Sequence, residues 1–309
     1  MFIDIHAHAY RIKAPVSPPF CTAEELIAEY DRLGIDKGVV MPIVSPEIYL
    51  PQSNEDILEM AAKYPDRLIP FCNIDPRAMT NSPNAPLTEV LLHYKSKGCK
   101  GIGEVMPNLP MFDPKVQNLF KCAEEAGLSV TIDGSDQLTG DFGLYDDPGL
   151  PQLEHTLQRF PNLIIFGHGP VFWAEIGKLD TPGSRNVIFN LKGAQVSYIN
   201  KKTGRGECYL PTGPITEEGV VPKLLRRYQN LYLDLSDGTA YNAISRDEKY
   251  GPAFLEEFQD RAFFGTDMCF PGMPVDLIGL LLAWKGKKIS EKAFKKIARG
   301  NAERFLSGR

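Results

Sequence analysis

Two histidines near the start of the chain, in Ile5-His6-Ala7-His8, have the spacing of a chelating pair. Residues i and i+2 of a strand share a face, so a strand here points both imidazoles the same way. Two neutral imidazole nitrogens held together supply half of a tetrahedral zinc site. Asp4 shares that face one step deeper, where it is expected to partner the His6 ring. By itself the spacing fits equally well a strand end with one buried and one surface histidine. The other chemistry-bearing residues narrow the choice. Of the five histidines, His168 ends the run IIFGHG, while Asp267 ends FFGTDM, Glu104 lies at the end of GIGEV and Asp133 ends SVTID. His93 and His155 fall inside helical patterns and are expected at the surface.

Positioning six such residues together requires a particular set of elements. Eight short apolar runs are expected as strands: 2–8, 37–43, 68–74, 99–105, 128–133, 163–169, 231–237 and 262–268. Each is rich in β-branched or aromatic residues and ends on a polar or turn residue. Amphipathic segments lie between them, such as TAEELIAEYDRLG, DPKVQNLFKCAEEAG and LPQLEHTLQRFP. Several open on Ser, Thr or Asp, and some close on Gly34, Gly98 or Gly127, the usual helix-cap asymmetry. Strand–helix alternation demands a parallel sheet, and eight repeats close a (β/α)8 barrel, here a single domain over 1–309. His6, His8, Glu104, Asp133, His168 and Asp267 then all end strands at the C-terminal face, where barrel enzymes keep their chemistry. The connection between strands six and seven is long, and 170–214 is expected to be an insertion that lies over that face as a lid. Around the mouth, Tyr10, Arg11 and Trp173 are the expected substrate contacts. Lys13, Lys192, Lys201, Lys202 and Arg205 add positive charge, with Phe172 and Tyr198 as apolar walls. Basic groups over a metal site suit a small, carboxylate-bearing molecule, although any one of them taken alone reads first as part of a solvated loop tip.

Bulk properties exclude several other classes. The chain is 43% hydrophobic and 24% charged, with a formal net charge of −5 and no basic run to track a phosphate backbone. Nucleic acid is not an expected partner. Six scattered cysteines without a C-x-x-C pair argue against a structural zinc cluster or a redox motif. No apolar run approaches the ~20 residues of a membrane span. The opening residues lack the n- and h-regions of a secretory signal, so a cytoplasmic location is expected.

Taken together, the H-x-H, the GHGP after strand six, the GTD on strand eight and the closing IARGNAERF resemble the amidohydrolase superfamily. They are most similar to its amidohydrolase-2 branch of metal-dependent hydrolases and non-oxidative decarboxylases. The likeness runs along essentially the whole chain, including KGIGE on strand four and HGPVFWAE after strand six. It implies that His6, His8 and Asp267 bind a divalent cation, Zn2+ in the first place, and that Asp267 also takes a proton from the attacking water. It implies that His168 either binds a second cation or stabilises a developing oxyanion. Glu104 matches a position where some branches place a ligating or bridging carboxylate. A homo-oligomer would be in keeping with the family. One departure stands out: most of the family has histidine at the end of strand five, where this chain has Asp133. An aspartate there could ligate through oxygen, favouring Mn2+ or Mg2+, or could simply cap the Gly134–Ser135 turn.

The expected activity is hydrolysis of an amide, ester or lactone by metal-activated water. Non-oxidative decarboxylation of an aromatic or unsaturated acid is the alternative. A third reading is a barrel that has lost its metal and serves as a binding protein, motivated by the missing strand-five histidine.

Overall fold

The computed structural model describes residues 2–13, 19–48, 52–182, 185 and 210–308, together with the backbone of the short antiparallel pair Tyr198–Ile199 and Gly206–Glu207. Eight strands form the frame: β1 (Phe2–Ala7), β2 (Ile35–Val40), β3 (Leu68–Pro70), β4 (Gly101–Val105), β5 (Ser129–Ile132), β6 (Ile165–Gly167), β7 (Leu231–Asp234) and β8 (Ala262–Phe263). All their pairings are parallel, β1-β2-β3 in one ladder and β4-β5-β6-β7-β8 in another. Backbone hydrogen bonds join the two. Between β3 and β4, Cys72 N donates to Gly101 O and Gly103 N to Cys72 O, both at 3.0 Å. Between β8 and β1, Ile5 N donates to Phe264 O at 3.0 Å and His8 N to Met268 O at 2.9 Å. The sheet therefore closes on itself as the expected (β/α)8 barrel.

The helices start and stop where the sequence signals them. In α1 (Ala23–Leu33), Thr22 and Glu25 form a reciprocal capping box, and Gly34 ends the helix at φ 71°. In α2 (Asn54–Lys63), Ser53 and Asp56 cap each other likewise. Two helices, Asp237–Ser245 and Tyr250–Glu257, have no counterpart in the sequence reading. They are short, and Gly238, Gly251 and Pro252 blur their periodicity. The last helical segment, 291–306, is interrupted by a π-turn at Lys296–Gly300. Beyond it, Asn301 is fully buried, and its Nδ2 donates to Gln259 O and Ala262 O, both at 2.7 Å.

Two apolar layers hold the frame. Outside the strands, a large cluster fills the space under the helices. A smaller one, of Ile3, Ile5, Val39, Met41, Phe71, Phe166 and Phe263, is drawn from the strands and the residues directly after them, together with Ala302 of the final helix, and Phe305 packs against it. It fills the barrel itself, and the final helix plugs its lower end. Burying each such phenylalanine contributes about 1.5–3 kcal/mol. Chemistry is thereby confined to the upper, C-terminal end. Of the expected insertion, 170–182 begins with the short helix Pro170–Ala174. Most of 183–209, and with it the expected lid and the residues Lys192, Lys201, Lys202 and Arg205, lies outside the described residues. No helix among the described residues is long and apolar enough to cross a membrane.

Asn301 ties the plug to β8, and this makes a measurable claim. Asn301→Ala strips the partner from two buried carbonyls and should cost about 2 kcal/mol. Urea unfolding should show a lower midpoint with an unchanged slope. An unshifted midpoint would show that the tie carries no weight.

Candidate metal centre

At the upper end of β1 the two imidazoles converge. His6 Nε2 and His8 Nε2 are 3.1 Å apart. Glu104, on β4, brings Oε2 to 3.6 Å from His6 Nε2 and 3.4 Å from His8 Nε2. Asp267 brings Oδ1 to 3.5 and 3.3 Å from the same two nitrogens. A tetrahedral cation with bonds of about 2.0–2.1 Å spaces its ligand atoms about 3.3–3.4 Å apart. These separations match that edge length, so the donor set of two imidazoles and two carboxylates fits a cation such as Zn2+. Glu104 thus stands beside His6, His8 and Asp267 as a candidate ligand.

Asp267 reaches this position through its backbone. The strand reading over 262–268 extends too far: β8 ends at Phe263, and Asp267 takes φ 52° in the left-handed region. Aspartate tolerates that conformation better than most residues. The turn is pinned because Asp267 N donates to His6 O at 2.8 Å. Gly265 is required in the same turn, since a Cβ there would lie 2.7 Å from Asp234 Oδ1.

Asp234 is the residue that the sequence reading missed. It ends β7, is fully buried, and its Oδ2 accepts from His6 Nδ1 at 2.7 Å. The expectation that Asp4 plays this part is corrected. Pairing of β1 with β2 shifts register between Asp4 and Ala7, which breaks simple alternation. Asp4 is turned instead toward α1, accepting from Tyr30 Oη at 2.8 Å, from Thr266 N and Oγ1 at 2.9 and 2.6 Å, and from His6 N at 3.0 Å. It anchors the strand and not the ring. For His8 the outer partner is a carbonyl, Met41 O, 3.0 Å from Nδ1. Glu104 is steadied through its backbone by Asn73, whose Nδ2 donates to Glu104 O at 2.6 Å and Pro42 O at 3.0 Å.

His168 follows β6. Its Nε2 lies 3.5 Å from Glu104 Oε1 and 3.9 Å from Asp267 Oδ2, and its Nδ1 is 3.0 Å from Ser236 Oγ. Asp133 is placed where either of its expected roles is open to it. Its Oδ1 accepts from Gly134 N at 2.9 Å, as a turn cap does. It also offers an oxygen within 4.8 Å of donor atoms of Glu104 and His168, a second group able to hold a cation. Gly169 permits this closeness, for a Cβ there would fall 1.9 Å from Asp133 Oδ1.

Electrostatics favour a cation. Burial works against charge on His6, yet the Asp234, Glu104 and Asp267 carboxylates outweigh it and hold the imidazole well above its usual range. Burial likewise opposes charge on His8, and Asp267 and Glu104 overcome it to push that ring up to about 9. Glu104 resists burial because His6, His8 and His168 hold it well below the usual carboxylate range. Asp133 goes the other way, raised by burial and by the charge of Glu104. Such a desolvated excess of carboxylate is what a divalent ion neutralises.

The expected substrate contacts separate. Tyr10 is buried against Phe20, and its hydroxyl has no hydrogen-bond partner among the described residues. Arg11 is exposed and paired with Asp56 at 2.7 Å on the outer side of α2, and Lys13 is paired with Glu25. Trp173 requires a correction: it is buried in the core, and its Nε1 donates to Asp234 O at 3.1 Å, so it props β7 instead of walling a pocket. Phe172 is buried as well, its ring close over Gly167.

The amidohydrolase family model matches residues 3–191, and the chain belongs to that family. No curated protein matches it in sequence. Among solved structures, it is similar to an uncharacterised TIM-barrel protein from Bordetella bronchiseptica at 19% identity and a TM-score of 0.61, over 100% of this chain and 99% of that one. A probable 2-pyrone-4,6-dicarboxylic acid hydrolase from Acinetobacter baumannii, with citric acid bound, matches at 14% identity and a TM-score of 0.57, covering 99% of each chain. A 2,6-dihydroxybenzoate decarboxylase from Rhizobium matches at 16% identity and a TM-score of 0.54, covering 99% of this chain and 98% of the other. At these identities the likeness establishes the fold.

Asp234 is the partner of His6 Nδ1, so Asp234→Asn should weaken Zn2+ affinity roughly 10- to 100-fold. Competition with a chromogenic chelator measures this. Affinity equal to the wild type would remove Asp234 from the site's support.

Proposed function

We propose that the protein is a metal-dependent hydrolase of a small, carboxylate-bearing molecule. The observation that carries this reading is the convergence of His6, His8, Glu104 and Asp267 at the mouth of the barrel, with the two imidazole nitrogens 3.1 Å apart and each 3.3–3.6 Å from both carboxylates. A divalent cation held there would act as a Lewis acid and lower the pKa of a bound water. His6 and His8 would hold it, each oriented by the partner on its Nδ1, together with Glu104 and Asp267. The Asp267 Oδ2 atom, on the His168 side, would be free to take a proton from water and return it to the leaving group. His168 acts on the substrate from the opposite side of Glu104. Tyr10, with a buried and unpartnered hydroxyl, is the described residue best suited to hydrogen-bond the substrate. A carboxylate on the substrate accords with the substrates named for the similar hydrolase and decarboxylase structures.

The second reading is decarboxylation, since the same ligands and His168 could serve proton delivery to carbon. Assaying a panel of lactones, amides and esters of carboxylic acids beside aromatic acids, with CO2 release followed in parallel, separates the two. Hydrolysis dependent on added Zn2+ or Mn2+ supports the first. Metal-dependent CO2 release without hydrolysis would replace it with the second.

Two further outcomes follow. The double variant His6→Ala, His8→Ala should lose its metal and its activity while keeping the barrel's circular dichroism spectrum, with a lowered thermal midpoint because Asp234 is left without its buried partner. Retained metal in that variant would refute the ligand assignment. Elemental analysis should give one cation per chain, in the wild type and in Asp133→Asn alike. Two in the wild type, falling to one in Asp133→Asn, would show that the Glu104, Asp133 and His168 group is filled as well.

A further inference from the structure

Away from the metal centre, a cleft of about 380 Å³ opens between segments 177–180 and 211–217 and the end of the helix Asp237–Ser245. That volume is within the range of small-molecule sites. The helix starts next to Ser236 at the metal centre, and its 9 residues span about 14 Å before Arg246 follows. None of the candidate metal ligands lines the cleft, so the two sites are separate.

Its walls are braced. Gly177 and Glu218 pair in antiparallel fashion, and Lys178 N donates to Glu217 O at 2.9 Å. On the other side Asn242 and Arg246, one helical turn apart, clip the chain. Asn242 Nδ2 donates to Pro211 O at 3.0 Å and Arg246 Nη1 to Gly213 O at 2.7 Å. Gly177 gives the guanidinium its place, since a Cβ there would lie 2.7 Å from Arg246 Nη2.

Arg246 is half-buried, and among the described residues the Gly213 carbonyl is its one hydrogen-bond partner. The acids nearby are committed elsewhere. Asp247 accepts from Ile215 N, Lys249 N and Tyr250 N, each at 2.9 Å, and Glu217 pairs with Lys178 Nζ at 2.7 Å. Asp180 is exposed at the rim and acts on Arg246 only through space. Burial pulls Arg246 below the usual guanidinium range, against the opposing pull of Asp247 and Asp180. A charge so desolvated is left partly uncompensated. Its remaining N–H groups form a flat fork that matches two oxygens of one anion. Asp180 opposes an anion, but it faces water, where its repulsion is screened.

We propose that the cleft at Arg246 is a binding site, separate from the metal centre, for a small polar molecule carrying a carboxylate or a phosphate. Proton–nitrogen correlation spectra of the whole 15N-labelled protein test it, with succinate or inorganic phosphate added at constant ionic strength. The reporters are the Arg246 Nε–H and the backbone amides of Gly177, Gly213 and Thr216, and unmoved signals elsewhere report an intact fold. At least one anion should give saturable shifts with a Kd of about 10 mM or tighter. Arg246→Gln should weaken binding about tenfold or more, and Arg246→Lys, which keeps the charge without the fork, should fall between. Asp180→Asn should bind about two- to fivefold tighter. The double variant His6→Ala, His8→Ala should bind as the wild type does. Succinate alone acting would assign the cleft to carboxylates, and phosphate alone to phosphates. The absence of a saturable shift with either anion would overturn the proposal. So would undiminished affinity in both Arg246 variants, or loss of binding in the double histidine variant.

Discussion

The contact between Asp234 and His6 sets the rest of the site in place. It is short, at 2.7 Å, and both side chains are buried completely. In water such a pair would be worth little, but here each group would pay heavily for losing the other. The chain accordingly surrounds it with support. Trp173 props the Asp234 carbonyl, Gly265 leaves room for the carboxylate, and Ser236 closes its other oxygen with a backbone N–H. With His6 so turned, its Nε2 has one direction to face, and His8, Glu104 and Asp267 are arranged around that direction.

A second anchor works on the backbone. Asp4, burdened by burial and pushed up to about 7 despite its hydrogen bonds to Thr266, the His6 amide and Tyr30, joins β1 to α1 and to the turn after β8. Precision at the mouth thus comes from two buried aspartates with different tasks. One holds a ring and the other holds the chain on which that ring sits.

Much of this was legible in the sequence because strand periodicity and cap residues are local signals. The eight strands, α1 with Thr22 and Gly34, and the strand-end placing of His6, His8, Glu104 and His168 all follow from runs of a few residues, whereas Asp267 sits in the turn after β8. What was lost depends on events between distant segments. The shift of register in β1 moved Asp4 away from the His6 ring, and nothing in FIDIHAH marks it. Asp234 and Ser236 carried a signal that could have been used. They are a polar pair at i and i+2 on a strand end, as His6 and His8 are, in LYLDLSD. Trp173 misled because an aromatic next to a catalytic-looking GHGP reads as a pocket wall, whereas its indole N–H had a buried carbonyl to satisfy.

The seam between β8 and β1 passes through the site itself. His6 contributes its carbonyl to the Asp267 amide and its ring to the ligand group that contains the Asp267 carboxylate. Two segments about as far apart in sequence as this fold allows therefore meet at one point. Contacts of such high order carry the largest loop-closure entropy. During synthesis, His6 and His8 emerge long before Asp234 and Asp267, and alone they make a weak, two-nitrogen site. The nascent chain is thus a poor metal scavenger until its barrel shuts. Once shut, a cation held across the seam would act as a rivet joining the two ends of the chain.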